Sequence, residues 1–303
     1  MNERICVAVL SRNETLLCRT VHRLFVRAYD PDRIEVNVIL DGWDLESNSK
    51  VNPIEAEIYK HQVHGIKEMA AKDSRIVIHE LEKPHGVRHG ANRAAALTDC
   101  DYIIKCDAHI EFSQNYDLHF LQCYKWAGHE SLIIPSICSM DPENDYRYGE
   151  RRFEFLLINP DMHQEHWFGY AKRPEAKGDC VEVMSNLGAV WFTSRQYWWQ
   201  IELHDEETFG TWGESAPETS LKVWLSGGRM ILNRNVLYAH VFRRTFPYSI
   251  NGNMVVKNKT RTKEYWLNEE YPYQIHPVSW LVGKFWPVPK WENGTICHRI
   301  NAK

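Results

Sequence analysis

The feature that most constrains this chain is an alternation. Through the first 140 residues, short runs rich in β-branched side chains trade places with segments whose apolar residues recur at helical spacing. Residues 4–10, 35–40 and 75–79 read as strands, and residues 14–28, 53–72 and 87–97 as helices between them. The second helix carries Ile54, Ile58, Ile66, Met69 and Ala70 on one face. Repeated strand–helix–strand units require crossover connections, so the chain belongs to the α/β class with a mostly parallel central sheet. Sheets of this kind bind ligands beyond the carboxyl ends of their strands. Two carboxylates fall there: Asp41 closes Ile39-Leu40-Asp41-Gly42, and Asp107 stops the β-branched run of residues 101–106.

Beyond residue 140 the alternation breaks. Residues 141–178 are rich in Pro, Gly, Tyr, Trp and charge, which marks a functional excursion. Regular structure resumes at residues 180–184 and 187–193. A helix over 217–226 is closed by Gly227-Gly228, and strands follow at 229–232 and 236–242. After His240 the chain turns basic and aromatic, with Arg243, Arg244, Lys257, Lys259, Arg261 and Lys263, a short helix at 262–270 and a Trp- and Pro-rich end. At 303 residues, 44% of them hydrophobic, this is enough for one large core over residues 1–242 with an extension, 243–303, packed on it. A net charge of -4 excludes a protein that coats nucleic acid non-specifically, while leaving room for a local basic patch.

The start, Met1-Asn2-Glu3-Arg4, is polar, and the apolar run after it is too short for a signal peptide or a membrane span of roughly 20 residues. Eight cysteines form no C-x-x-C pair and read as buried thiols. The expected location is therefore the cytoplasm, with no membrane contact.

Asp107-Ala108-His109 puts a carboxylate and an imidazole on the same side of an extended segment, where both could ligate one divalent cation. In a chain with 15 histidines such a pattern is close to chance; its place at a strand end is what points to a ligand. His240 alone reads as a core histidine. Asp41 is either a turn residue before glycine or a carboxylate facing a nucleoside. Gly86-Val87-Arg88-His89-Gly90, ahead of an Ala-rich helix, could bring backbone N–H groups and a cation to a phosphate. Trp212-Gly213-Glu214, followed by Glu218, is either an acidic helix start or an aromatic platform for a sugar.

Together these stretches resemble the GT-A (Rossmann-like) glycosyltransferases, specifically the catalytic domain of the polypeptide N-acetylgalactosaminyltransferases, glycosyltransferase family 27. VAVLSRNETLLCRTVHRLF resembles the family's first strand and helix, VILDGWD its acidic second-strand motif, and GVRHGANRAAALTDCDYIIKCDAH the approach to its Asp-x-His motif. SNLGAVWFTSRQYW, TWGESAPETSLKVWLSGG and YAHVFRRTFPYS follow in the family's order.

The resemblance implies that Asp107, His109 and His240 bind Mn²⁺ or another divalent cation beneath a UDP-sugar. It places Leu10, Ser11, Arg12 and Asp41 at the uridine, with Arg88 as a helper. Arg243 and Tyr248 fall at the diphosphate in a lid loop of residues 243–259, and Leu187, Gly188, Trp212 and Glu214 around the transferred sugar. Residues 1–140 would then form the nucleotide-binding half and 141–242 the sugar and acceptor half. Two motifs depart from the family: Trp-Gly-Gly-Glu becomes Trp212-Gly213-Glu214-Ser215, so Glu214 must act from a shifted position, and His-Pro-Tyr becomes Phe246-Pro247-Tyr248. The expectation is that the family's stem, membrane anchor and lectin domain have no counterpart here.

The expectation is a retaining, metal-dependent enzyme that moves a sugar from UDP to a hydroxyl. The acceptor is a protein Ser/Thr, as in the family, or a hydroxymethylated DNA base, as for virus-encoded base-modifying enzymes acting in a host cytoplasm. The alternative is a non-catalytic UDP-sugar or glycan-binding module of the same fold.

Overall fold

The computed structural model describes residues 3–43, 53–144, 146–152, 154–243, 246–248 and 250–292. The alternating half runs β1 (Ile5–Ser11), α1 (Leu17–Arg27), β2 (Ile34–Asp41), α2 (Pro53–Lys72), β3 (Ile76–Leu81), α3 (Val87–Ala96) and β4 (Tyr102–Asp107). It continues through a three-residue strand β5 (Ile110–Phe112), α4 (Tyr116–Ala127) and β6 (Ser131–Asp141). The expected excursion holds β7 (Arg147–Arg152) and a separate hairpin of β8 (Leu156–Ile158) and β9 (Gln164–His166). Then come β10 (Cys180–Glu182), β11 (Trp191–Ser194), α5 (Arg195–Gln200), α6 (Glu206–Phe209), α7 (Ser215–Leu225), β12 (Arg229–His240), α8 (Gly252–Leu267) and α9 (Val278–Lys284).

The main sheet is ordered β10-β12-β6-β11-β4-β1-β2-β3, with β5 paired to β12 and β7 to β6. From β3 to β4 every pairing is parallel, as crossover helices demand. Beyond β4 the sheet is mixed: β11 enters antiparallel, and β6 and β12 form a further parallel pair. The two strands expected at 229–232 and 236–242 are one, β12, whose register against β6 slips between Asn233 and Leu237. That bulge is what the polar Asn233-Arg234-Asn235 break records. The strand expected over 187–193 is confined to β11, and residues 187–190 instead form a loop at the site.

Alternate residues of β1 serve two faces, as period two requires. Ile5, Val7 and Val9 join Leu17, Val21 and Leu24 of α1 and Phe120 of α4 on one side, while Ala8 joins Ala91, Ala94 and Ala95 of α3 on the other. Small residues let α3 lie close: a Cβ on Gly90 would sit 3.2 Å from Leu10 and 3.3 Å from Ile39. The extension shares this core, since Trp266, Leu281 and Val282 pack in the same cluster as Trp198 and Trp224. Each such fully buried side chain contributes about 1.5–3 kcal/mol. The described cysteines carry no disulfide; Cys297 lies outside the described residues. Among the described residues no helix is long and apolar enough to cross a membrane.

Arg88 does not reach toward a nucleotide. Its side chain is 0% exposed, its Nε lies 2.6 Å from Glu218 Oε2, and its remaining donors hold the carbonyls of Phe209, Gly210 and Gly213. Val87 and Gly90 of the same turn line the cavity, but the Arg88 side chain points into the core, which turns the expected phosphate helper into a buried strut. Burial alone would raise the Glu218 carboxyl, but Arg88 and Lys222 hold it well below the usual range, and burial pushes His204, 3.9 Å from Glu218, down to about 4.

Both shifts have one sign. Between about pH 6.5 and 4 the unfolded chain takes up a proton on His204 that the folded chain refuses, and below the ordinary glutamate range the same holds for Glu218. Stability should therefore fall on acidification from pH 6.5, by up to about 1.4 kcal/mol per pH unit for one group. Urea unfolding at pH 7, 6, 5 and 4 measures it, and His204→Phe should flatten the upper part of the curve.

Candidate active site

Three packing events bring the site together. Parallel pairing sets Leu10 of β1 beside Asp107 of β4, so Ser11 and Arg12 emerge next to the Asp-x-His turn. The chain then reverses into β5, which pairs antiparallel with the end of β12 in the register Ile110↔His240. That pairing carries His240 to His109, ring centroids 4.7 Å apart, across 131 residues of sequence. At the helix side, Gly86 (φ 88) passes so close to Thr211 that a Cβ would lie 2.0 Å from its carbonyl oxygen. The loop before α7 is thereby held against the start of α3.

Ligand atoms of Asp107, His109 and His240 all lie within 4.8 Å of one another. One carboxylate and two imidazoles are a donor set that suits Mn²⁺. His240 Nδ1 is buried with no hydrogen-bond partner, and His109 Nδ1 is taken by Glu14 Oε2 at 3.1 Å, which leaves its other nitrogen for a ligand role. Burial pushes His240 below the ordinary histidine range, which favours the neutral, ligating imidazole. The Asp107 carboxyl, although burial alone would raise it, is held well below the usual range by the Lys105 ammonium, 2.7 Å away, and by His240. These residues fit a divalent cation.

The cluster lines a cavity of about 1090 Å³. Leu10, Ser11, Arg12, Asp41, Leu187, Gly188, Trp212, Glu214, Arg243 and Tyr248 line the same cavity. Asp41 accepts N–H bonds from His85 at 2.6 Å and Gly86 at 2.9 Å, so the carboxylate fixes the loop before α3 as well as lining the cavity. Arg243 pairs with both oxygens of Glu14, Arg12 stacks on Tyr248 at 4.7 Å, and Asn13 donates to the Pro247 carbonyl at 2.9 Å. Trp212 meets Phe246 edge to face, centroids 5.7 Å apart.

The expected lid is shorter than residues 243–259, because Asn251 caps α8 and the helix occupies everything from Gly252 on. Arg244 lies outside the described residues.

Sequence reasoning passed over three members. Lys105 joins Asp107 to the carbonyls of Gly188 and Ala189 at 2.9 and 3.1 Å; its place two residues before Asp107 on the same strand face was a signal that could have found it. Glu14 orients His109 and holds Arg243, and stands in the quoted Asn13-Glu14 pair. His163, on the β8–β9 turn and 2.9 Å from Glu214, had no local signal at all.

The chain is 24% identical over 292 residues to polypeptide N-acetylgalactosaminyltransferase 5 of Caenorhabditis elegans, covering 93% of this chain and 44% of the relative. It is 25% identical over 287 residues to polypeptide N-acetylgalactosaminyltransferase 10 of Homo sapiens, covering 91% of this chain and 44% of that one. The chain thus spans less than half the length of these curated relatives. A search of protein-family models found no match. Among solved structures, GalNAc-T7 with UDP, GalNAc and Mn²⁺ superposes with a TM-score of 0.71 at 17% identity, over 96% of this chain and 52% of that chain. The fold is that of the GT-A glycosyltransferases, and the sequence is similar to the polypeptide N-acetylgalactosaminyltransferases over nine-tenths of its length.

Proposed function

We propose that this chain is a metal-dependent, retaining glycosyltransferase that moves a hexose or N-acetylhexosamine from UDP to an acceptor hydroxyl. The observation that carries this is the Asp107, His109 and His240 cluster in a cavity that Asp41, Trp212 and Glu214 also line. A divalent cation bound there supplies positive charge beside the diphosphate as it departs. Leu10, Ser11 and Arg12 line the nucleoside site, Arg243 exchanges Glu14 for phosphate oxygens, and Tyr248 covers them. In the reaction the bond between the sugar's anomeric carbon and the diphosphate oxygen breaks and one to the acceptor oxygen forms on the same face. The acceptor proton passes to the leaving phosphate, so no protein nucleophile is needed.

A neutral acceptor, a Ser/Thr hydroxyl of a peptide, fits the charge around the cavity better than DNA does. Of the cations that could follow a phosphate backbone, Arg243 is held by Glu14, Arg261 by Glu270 and Lys263 by Asp161. Lys257 and Lys259 are the remainder among the described residues. A hydroxymethylpyrimidine acceptor would show a KM rising steeply with salt through counterion release, whereas a peptide KM should change less than about twofold between 50 and 200 mM salt.

The primary test is UDP release from a panel of UDP-sugars with Mn²⁺, with and without Ser/Thr peptides and hydroxymethylpyrimidine DNA. Turnover that EDTA abolishes supports the reading; binding without turnover for every acceptor identifies a non-catalytic module instead. Proteolysis within residues 243–251 should also slow when UDP and Mn²⁺ draw Arg243 and Tyr248 inward. Equal cleavage at saturating ligand counts against that closure.

A further inference from the structure

Two elements of the cavity wall meet through a pair of side chains. The β8–β9 turn carries His163, the start of α7 carries Glu214, and His163 Nδ1 lies 2.9 Å from Glu214 Oε2. Both line the cavity, with side chains only 26% and 10% exposed. Neither backbone is relaxed. Glu214 is left-handed at φ 57, directly after Gly213 at φ 91, and the residue before His163, Met162, is left-handed at φ 62. A non-glycine residue there costs about 1–2 kcal/mol, and strain of this kind gathers at functional sites.

Capping does not offset it. Glu214 stands at the N-cap of α7 yet makes no capping bond with its side chain, and its carboxylate turns to His163 instead. The turn is itself fastened, since Asn159 Oδ1 accepts from the N–H groups of Asp161 and His163 at 2.9 and 3.0 Å.

The pair's place in the cavity indicates what it meets. A Cβ on Gly188 would lie 3.1 Å from Ala216, two residues after Glu214, and the Gly188 carbonyl takes the ammonium of Lys105, which holds Asp107. The pair is therefore tied to the cation cluster through Gly188.

We propose that His163 is a positioning residue for donor recognition. Its imidazole donates Nδ1–H to Glu214 and fixes a carboxylate whose Oε1, which makes no hydrogen bond among the described residues, accepts one from a ring hydroxyl of the transferred sugar. The ligand class is the pyranose of a UDP-sugar, and the inference rests on the donor reading given above. A site that must satisfy a fixed carboxylate discriminates against a sugar lacking or misplacing that hydroxyl.

Calorimetry with Mn²⁺ tests this without turnover. UDP, UDP-glucose, UDP-galactose and their N-acetylated counterparts are titrated into the wild type, His163→Ala and His163→Asn. Asn is chosen because its Nδ2 can take the place of the imidazole Nδ1. In the wild type one UDP-sugar should bind more tightly than UDP. In His163→Ala that advantage should drop about tenfold with UDP affinity unchanged, and His163→Asn should recover most of it. The inference is overturned if His163→Ala keeps the wild-type ratio of UDP-sugar to UDP affinity, if His163→Asn falls as far as His163→Ala, or if no UDP-sugar outbinds UDP in the wild type. Unchanged UDP binding also reports that the variants are folded. Failure of the wild type to bind UDP itself would bring down the donor reading, and this inference with it, so the two failures are told apart.

Discussion

Asp107→Ala should lower sugar transfer by about three orders of magnitude or more while leaving the protein folded. The side chain sits at the open end of β4, 28% exposed, and it is the one carboxylate in the cluster. Removing it takes an anionic ligand from the cation and leaves His109 and His240 to hold the charge alone. Lys105, 2% exposed, loses its counter-charge but keeps its bonds to the carbonyls of Gly188 and Ala189, so the melting temperature should fall while the protein stays folded. His240→Ala should act in the same way through the other arm of the cluster, whereas Asp107→Asn, which keeps an oxygen in place, should fall between. UDP release with the preferred donor measures the loss, and far-ultraviolet circular dichroism with the melting temperature checks folding. Wild-type turnover by Asp107→Ala, or by the wild type in EDTA, would falsify the assignment of these residues.

The largest effect on stability should come from Glu218→Ala, at about 3–5 kcal/mol. Glu218 is 0% exposed and accepts from Arg88 at 2.6 Å, from Lys222 at 3.1 Å and from the Asp205 N–H at 2.6 Å. Without it, two buried cations lose their counter-charge and the Asp205 N–H loses its acceptor. Glu218→Gln preserves the shape and one acceptor, so it should cost less than Ala. Urea denaturation at pH 7 gives the difference; a loss below about 1 kcal/mol would contradict the buried-pair account. Because Arg88 also holds the carbonyl of Gly213, these variants should weaken transfer without touching a ligand.

Much of the alternating strand–helix half was legible because its signals are local. Strands 4–10, 35–40 and 75–79 appear within a residue or two as β1, β2 and β3, since one apolar residue in two or in 3.6 fixes which face is buried. The errors fall where two readings share one pattern. A polar break inside β12 looked like the gap between two strands, and a polar, cationic stretch after residue 243 looked like a loop when its buried face, Asn258, Thr262, Tyr265 and Trp266, belonged to α8. Arg88 was misplaced for a related reason. A cation at a helix start attracts a phosphate reading, and no feature of the segment discloses that a carboxylate 130 residues away will claim it.

Local patterning accounts for the strand–helix alternation, the strand ends that carry Asp41 and Asp107, and the same-side placement of Asp107 and His109. These follow from backbone geometry over a few residues. Long-range packing is what joins His240 to them, through the pairing of the short strand β5 with β12, and what lets Glu14 brace His109 and Arg243. It alone decided, too, that Arg88 is spent on Glu218 and that the β8–β9 turn delivers His163 to Glu214. Each of those contacts joins residues far apart in the chain. Their formation depends on which strand edges and helix ends remain to be paired once the core has closed, a choice made by packing across the whole domain and carried by no local pattern.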